Sequence, residues 1–428
     1  MTEQEITDLG PAFAAYLRRF RGCFGQDRTA GHFDTYCRGL LSDLPRKSVE
    51  PIALAAGTAV RTLQEFLVTA RWGHDQARDA LQADLAEVLA GLSADPLGTI
   101  GVIDETSCRK WGGHTPGVQR QYLGCVGKID NGIVTVHLGV AKGTFQALLD
   151  AELYLPKSWA EDRPRCRAAG IPDAVGHRTK WRLAAAQWVR AMGNGVSFDW
   201  LVFDEGYGAA VPFLRLLGRM NQKFVAEVPV NFAVRDAEGG PARRADARLG
   251  AADARGGKRH RLAHRTVRAS YWRAATAAVW VADREHTLVV AINEATAEVK
   301  YFLTNATDAP LARVLAVAFR RWTVEHAFRL GKQEAGLMDY EGRDYTGLRR
   351  HLVLALVVLG FVATHTERLR GEKPGGDGGT GVPGVEPAVR GGVPPASGRP
   401  RGAAHQRGDP IPPATQRPGR QIPQEAAA

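Results

Sequence analysis

Three acidic residues have the placement to do chemistry. Asp104 ends the short apolar run Thr99-Ile100-Gly101-Val102-Ile103, and Asp204 ends Trp200-Leu201-Val202-Phe203. A carboxylate at a strand end projects into a polar cleft while its backbone stays pinned. If the two strands are neighbours, bare carboxylates ~4 Å apart repel by ~4 kcal/mol at an effective dielectric of about 20. A divalent cation removes that penalty, and hard oxygen ligands suit Mg²⁺ or Mn²⁺. Glu325, on a helix, would complete a two-metal site for in-line attack on a phosphodiester. Glu105 and Glu205 point to the opposite face of their strands and read as supporting residues. A bland alternative stands beside each assignment. A strand-terminal Asp commonly caps a helix, and a helical Glu is ordinarily solvated.

The elements that must position these groups follow from spacing. Residues 1–95 read as helical, with Leu40-Leu41-x-x-Leu44 and Leu63-x-x-Phe66-Leu67 at helix spacing. Arg46, Lys47, Arg61 and Arg71 give this region basic points, which suit either a solvated face or a DNA-end-binding domain. Residues 99–103, 121–126 and 133–140 read as a meander of three antiparallel strands. The sequence Asp130-Asn131-Gly132 supplies a hairpin turn between the last two. A loop rich in Pro and charge spans 155–178. A helix over 181–192, a strand over 200–203, a helix over 211–220 and a strand over 224–228 follow.

Residues 233–275 are basic, with Arg243, Arg244, Arg248, Arg255, Lys258, Arg259, Arg261, Arg265 and Arg268. Strands return at 277–281, 287–292 and 301–304, giving a β-rich insertion whose basic loop is either solvated or a phosphate-contacting arm. Residues 310–338 read as helical, as do 348–368. From Gly371 onward the chain holds eleven of its 23 prolines, with no Leu and no aromatic residue. Such a composition buries too little apolar surface to offset ordering entropy, so the tail reads as disordered.

The bulk numbers bound the partners. The 428 residues carry 56 Lys+Arg against 45 Asp+Glu, a net charge of +11, which favours a polyanion such as nucleic acid. Cys23, Cys37, Cys108, Cys125 and Cys166 are odd in number and lack C-x-x-C spacing. They argue against a disulfide framework or a zinc ribbon and fit a reducing cytosol. The acidic N-terminus is not a signal peptide. The longest apolar run, residues 352–362, is too short to span a bilayer and reads as a buried core helix.

Around Glu325 the spacing becomes specific. Arg321, Glu325 and Lys332 fit the pattern Tyr, two residues, Arg, three residues, Glu, six residues, Lys, with Ala318 in place of the Tyr. Further stretches include Leu63-Gln64-Glu65-Phe66-Leu67, Asp104-Glu105-Thr106, Arg120-Gln121-Tyr122-Leu123-Gly124 and Leu153-Tyr154-Leu155-Pro156. Phe203-Asp204-Glu205-Gly206-Tyr207-Gly208 and Lys332-Gln333-Glu334-Ala335-Gly336-Leu337 complete the set. Over about residues 30–370 the chain resembles insertion-sequence DDE transposases, of the cut-and-paste type with a β insertion between the second Asp and the Glu.

The resemblance implies an α/β fold: a ribonuclease-H-like mixed sheet flanked by helices, with an N-terminal helical domain, a β-rich insertion and a disordered C-terminal tail. The expected division is a DNA-binding helical domain (1–95), a catalytic core in two parts (96–228 and 309–370), the insertion (229–308) and the tail (371–428). It implies Asp104, Asp204 and Glu325 as catalytic residues holding two Mg²⁺ or Mn²⁺ ions, and Arg321 and Lys332 as DNA contacts. The expected partner is double-stranded DNA, both transposon ends and target, bound by a homodimer, with no membrane association. The setting would be cytoplasmic and bacterial, at the nucleoid. Tyr207, Trp322 and Trp111 are candidates for stacking on a flipped base, or else core residues. Ala318 and the tail leave room for a second function: a catalytically decayed transposase that acts only as a DNA-binding protein or repressor.

Related transposases continue past the last helix with structured, Arg-rich sequence, so the tail composition points to a shift of reading frame near residue 371. Translating the other frames of the gene beyond that point should return family-like sequence. Finding none there would overturn this account of the tail.

Overall fold

The computed structural model describes residues 3–262 and 269–371; for residues 3–8 and Thr323 it describes the backbone alone. The expected disordered tail (371–428) lies outside the described residues except for Gly371, and so do Arg265 and Arg268 of the basic stretch.

Five helices come first: α1 (Glu3–Arg18), α2 (Asp27–Leu41), α3 (Val49–Ala55), α4 (Val60–Val68) and α5 (His74–Gly91). Strands β1 (Ile100–Arg109), β2 (Gln119–Leu123), β3 (Lys128–Lys142) and β4 (Phe145–Leu153) follow. Next are α6 (Lys157–Ala160), α7 (Arg163–Ala168), α8 (Lys180–Gly193), β5 (Trp200–Phe203), α9 (Glu205–Gly208), α10 (Val211–Arg219) and β6 (Phe224–Val228). A second run holds β7 (Ala233–Val234), β8 (Arg243–Arg244), α11 (Ala245–Arg248), α12 (Ala251–Gly256), β9 (Lys258–Leu262), β10 (Ser270–Val281), β11 (Arg284–Asn293) and β12 (Val299–Thr304). Helices α13 (Leu311–Ala318), α14 (Trp322–Glu334) and α15 (Tyr345–Gly371) close the described chain, with a 3-10 turn at Phe319–Arg321 between the first two.

Among the described residues one large sheet runs β2-β3-β1-β5-β6-β12-β11-β10-β9, with β4 on β3. β3 lies antiparallel between β1 and β4, while β1, β5 and β6 are parallel. With helices packed on it, this is the ribonuclease-H-like mixed α/β arrangement that the motifs imply. The later strands do not form a separate layer. β12 pairs antiparallel with β6, so β9–β12 continue the same sheet.

Several local expectations are corrected. Strand β1 neighbours β3 rather than β2, so the three strands are not a simple meander. The hairpin turns at residues 124–127, where Val126 and Gly127 N–H groups donate to the Leu123 carbonyl. Asn131-Gly132 instead lies inside β3, with Gly132 facing both Arg109 and Gln119. The glycine is used for close approach: a Cβ there would sit 2.3 Å from the Cys108 carbonyl oxygen. Strand β4 has no counterpart in the sequence reading. The helical run expected over 310–338 is broken by the 3-10 turn and ends at Glu334, and Gly336 follows it with φ +58°.

Helix α15 is long and apolar enough, by length and composition, to cross a membrane. Here its apolar run, residues 352–362, is almost wholly buried, and the helix packs against α2, α4, α5 and β4. Phe13 of α1 meets Phe361 at 4.7 Å between ring centroids. Tyr36 of α2 bonds the His351 Nδ1 at 2.9 Å. Arg350 is the strongest tie. Its buried guanidinium donates to the carbonyls of Phe66, Leu67, Ala70 and Trp72 at 2.8–3.3 Å and lies over the Trp72 ring. The Phe66 and Leu67 carbonyls belong to the last turn of α4, whose carbonyls lack a helical partner, and Ala70 and Trp72 lie in the segment just after it. Arg350→Met should strand these carbonyls in a dry interior and cost about 3 kcal/mol. Urea unfolding would show this as a lower midpoint with an unchanged slope.

Candidate active site

The first carboxylate owes its position to strand pairing. The apolar half of β1 is buried, and its register with β5 runs from Ile100–Trp200 to Ile103–Phe203. The next residues of the two strands are Asp104 and Asp204, so the pair sits side by side at roughly the ~4.8 Å spacing of neighbouring strands. Strand β6 repeats the step: Phe203 pairs with Ala226, and Glu227 follows. Three adjacent strands thus offer a row of acids, Asp104, Asp204 and Glu227.

Asp204 also realises the blander expectation. It caps α9, accepting the Gly206 N–H at 3.0 Å. Gly208 in this turn is required by packing, because a Cβ would lie 2.0 Å from the Glu227 carbonyl oxygen. Tyr207 is buried, so of the three aromatic candidates it is a core residue. Trp111 stands 83% exposed.

Arg321 balances the row. The turn that carries it is docked by Phe319, which packs on Phe302 and Trp272 at 5.9 and 4.7 Å. Its guanidinium donates to Asp104 Oδ2 at 2.9 Å and reaches Glu227 at 3.8 Å and Glu325 at 3.6 Å. Lys300 of β12 bonds Glu227 from the other side at 2.6 Å. Burial works against the charge on Arg321, but Asp104, Glu227, Asp204 and Glu325 outweigh it and raise its affinity for the proton.

The two aspartates pay an electrostatic cost. Burial lifts Asp104 well above the ordinary carboxylate range, to about 7; Arg321 pulls it down and the Asp204 charge pushes it up. Burial also raises Asp204, with the Glu105 charge adding to the effect and Arg321 opposing it. Glu105 itself pairs with Lys180 at 2.7 Å. Two raised carboxyls side by side are a donor set whose protons a hard divalent cation would replace.

Glu325 stands apart. Helix α14 buries Val324 and Phe328 and leaves Glu325 with a 60% exposed side chain, separated from Asp104 by Arg321. Phe328 rests edge-on against His137 of β3 at 4.9 Å. Among the described residues no three His, Cys, Asp or Glu side chains are grouped as a cation cage. The structure therefore brings Asp104, Asp204 and Arg321 together, while Glu325 touches the group only through Arg321. Lys332 donates to the Ser107 carbonyl at 3.2 Å, and burial lowers its pKa. Glu227 and Lys300 escaped the sequence reading. The available signal was a carboxylate interrupting the apolar strand Phe224-Val225-Ala226-Glu227-Val228. Lys47, read as a basic surface point, is buried and bonded to the Glu334 carbonyl.

Comparison with known proteins shows the family of the chain. The family described as DDE superfamily endonuclease matches residues 19–289, a stretch that contains both aspartates and ends before Glu325. The chain belongs to this family. It is also 32% identical over 223 residues to the probable transposase for insertion sequence element IS701 of Microchaete diplosiphon. That alignment covers 51% of this chain and 54% of the relative, so the chain spans about half the relative's length.

In this DDE-family chain the raised Asp104 carboxyl has a thermodynamic consequence. Its folded value of about 7 lies above the unfolded value of about 3.9, so the folded state holds the proton longer. The group contributes most below pH 4, and that contribution is lost as pH rises towards 7. Asp104→Asn should therefore raise the melting temperature relative to wild type at pH 8 and lose that advantage near pH 4. Thermal melts at the two pH values check it, and a higher melting temperature for wild type at pH 8 would contradict the assignment.

Proposed function

We propose that the chain is a DNA transposase that cuts and joins phosphodiester bonds at the terminal inverted repeats of an insertion sequence. The observation that carries this reading is the pair Asp104 and Asp204, set side by side on adjacent parallel strands with raised pKa values. Family membership and the transposase relative support it.

In this reading Asp104, Asp204 and Glu325 would hold two Mg²⁺ or Mn²⁺ ions. Metal bound there supplies activation of water or a 3′-hydroxyl and stabilisation of the leaving oxygen. The chain's own residues prepare the exchange. Arg321 pairs with Asp104, and its planar guanidinium has the fork geometry that a phosphate would take. Lys332, a compact point charge tied only to a backbone carbonyl, is the second phosphate contact. The substrate is double-stranded DNA, transposon end and target alike, and pairing of two ends calls for a homodimer at the bacterial nucleoid. The helices of residues 1–95 would bind the ends, and the basic arm of residues 229–308 would contact phosphate.

A DNA-binding protein that does not cleave is the second reading, favoured by the exposed Glu325 and the closed Arg321–Asp104 pair. An excision assay with the gene's own flanking DNA separates the two. Mg²⁺ should give excision by the wild-type chain, and Asp104→Asn should reduce cleavage to background while leaving end binding largely intact. Cleavage near wild-type level by that variant would refute the site; absence of Mg²⁺-dependent excision by wild type would favour the second reading.

A further inference from the structure

The far end of β1 carries a feature that the catalytic reading does not use. Five residues past Asp104 the strand reaches Arg109, and the next loop presents Trp111 with 83% of its surface in water. The loop under this ring is fixed. Asn131 donates to the Lys110 and Gly112 carbonyls at 2.7 and 2.8 Å, Arg165 donates to the Gly113 carbonyl at 3.0 Å, and Lys110 Nζ bonds the Met338 and Tyr340 carbonyls. An indole held out on a pinned backbone has little entropy left to lose on binding. The Arg109 guanidinium lies 4.3 Å from the ring centroid.

The end of the hairpin beside this loop is exposed, and its cations gather on the Trp111 side. Tyr122 and Ile129 are direct partners across β2 and β3, 38% and 61% exposed. By strand alternation they share the sheet face of Asp104, while Arg109, Lys128 and Asp130 lie on the opposite face, where Arg109 pairs with Asp130 at 3.1 Å. Arg109, Lys128 and Arg120 all surround Asp130; its carboxyl is held below the usual range by the Asn131 N–H first and then by these three cations. One acid against three bases leaves the tip positive.

We infer that Trp111, flanked by Arg109, Arg120 and Lys128, is a stacking platform for unpaired bases of the DNA that the chain binds. The inference rests on the transposase reading and deepens it. The occupant follows from the chemistry: cations meet phosphates while an exposed indole meets bases, whichever bases they are.

The test uses the full chain with Asp104→Asn, so that cleavage does not consume the probe. The probes are a duplex with a single-stranded oligothymidine overhang and the same duplex fully paired, followed by fluorescence anisotropy. Adding Trp111→Ala should weaken overhang binding by about tenfold, the loss of one stacked base, and leave the paired duplex unaffected. Trp111→Phe should retain most of the affinity, and Arg120→Glu with Lys128→Glu should flatten the salt dependence. Unchanged overhang binding by Trp111→Ala, or equal loss on both probes, overturns the inference while leaving the transposase reading intact. So does a change in sedimentation of Trp111→Ala without DNA, which would assign the face to a second copy of the chain. Failure of the parent protein to bind either probe would refute the transposase reading as well.

Discussion

Three adjacent parallel strands bring three acids into one row, and a cation among them lowers the cost of that row. Asp104, Asp204 and Glu227 are forced into one row by register, and each charge raises the cost of the next. Arg321 meets that cost, and much of the surrounding structure serves to keep it in place. The break between α13 and α14 puts it on a tight turn, Phe319 anchors that turn on the later strands, and Lys300 holds Glu227 from behind. A guanidinium bound this way is compatible with folding in the absence of metal. It also holds Asp104 beside Asp204 while leaving Glu325 outside.

The later strands matter to the site for the same reason. Because β12 pairs directly with β6, Lys300 and Phe302 are fixed relative to Glu227 by backbone hydrogen bonds rather than by a loop. An inserted layer tethered only at its ends could not set a side chain to that tolerance. The insertion thus supplies one wall of the acidic row as well as surface beyond it.

Much of this was legible in the sequence where local pattern decides structure. The strand that stops before Asp204, the strand at 224–228 and the last long helix follow from runs of apolar residues bounded by polar ones, whereas β1, expected to end at Asp104, runs on to Arg109 because β3 pairs with it beyond the aspartate. Spacing around Arg321 and Lys332 marked the helix that follows the turn. What sequence did not show depends on neighbours distant along the chain. Asn131-Gly132 has the composition of a turn, yet the glycine is needed because β1 passes too close for a side chain. Glu227 looks like one ordinary acid in a strand until β5 lies beside it. Exposure of Trp111 could not be read from composition, since tryptophan is buried far more often than it is displayed. Glu325 fits its motif by spacing, but α14 turns its carboxylate outward in this conformation.

The Arg350 clasp has a consequence for how the protein is made. Helices α2, α4 and α5 leave the ribosome first, yet the surfaces they bury belong to α15, hundreds of residues later. Chains usually fold in the order in which they emerge; here the amino-terminal helices must wait for Arg350, His351 and Phe361. A polypeptide that stops short of that point presents bare apolar helix faces and an unfilled ring of carbonyls. Incomplete products thus leave apolar helix faces uncovered, and only chains translated through α15 acquire a finished amino-terminal layer.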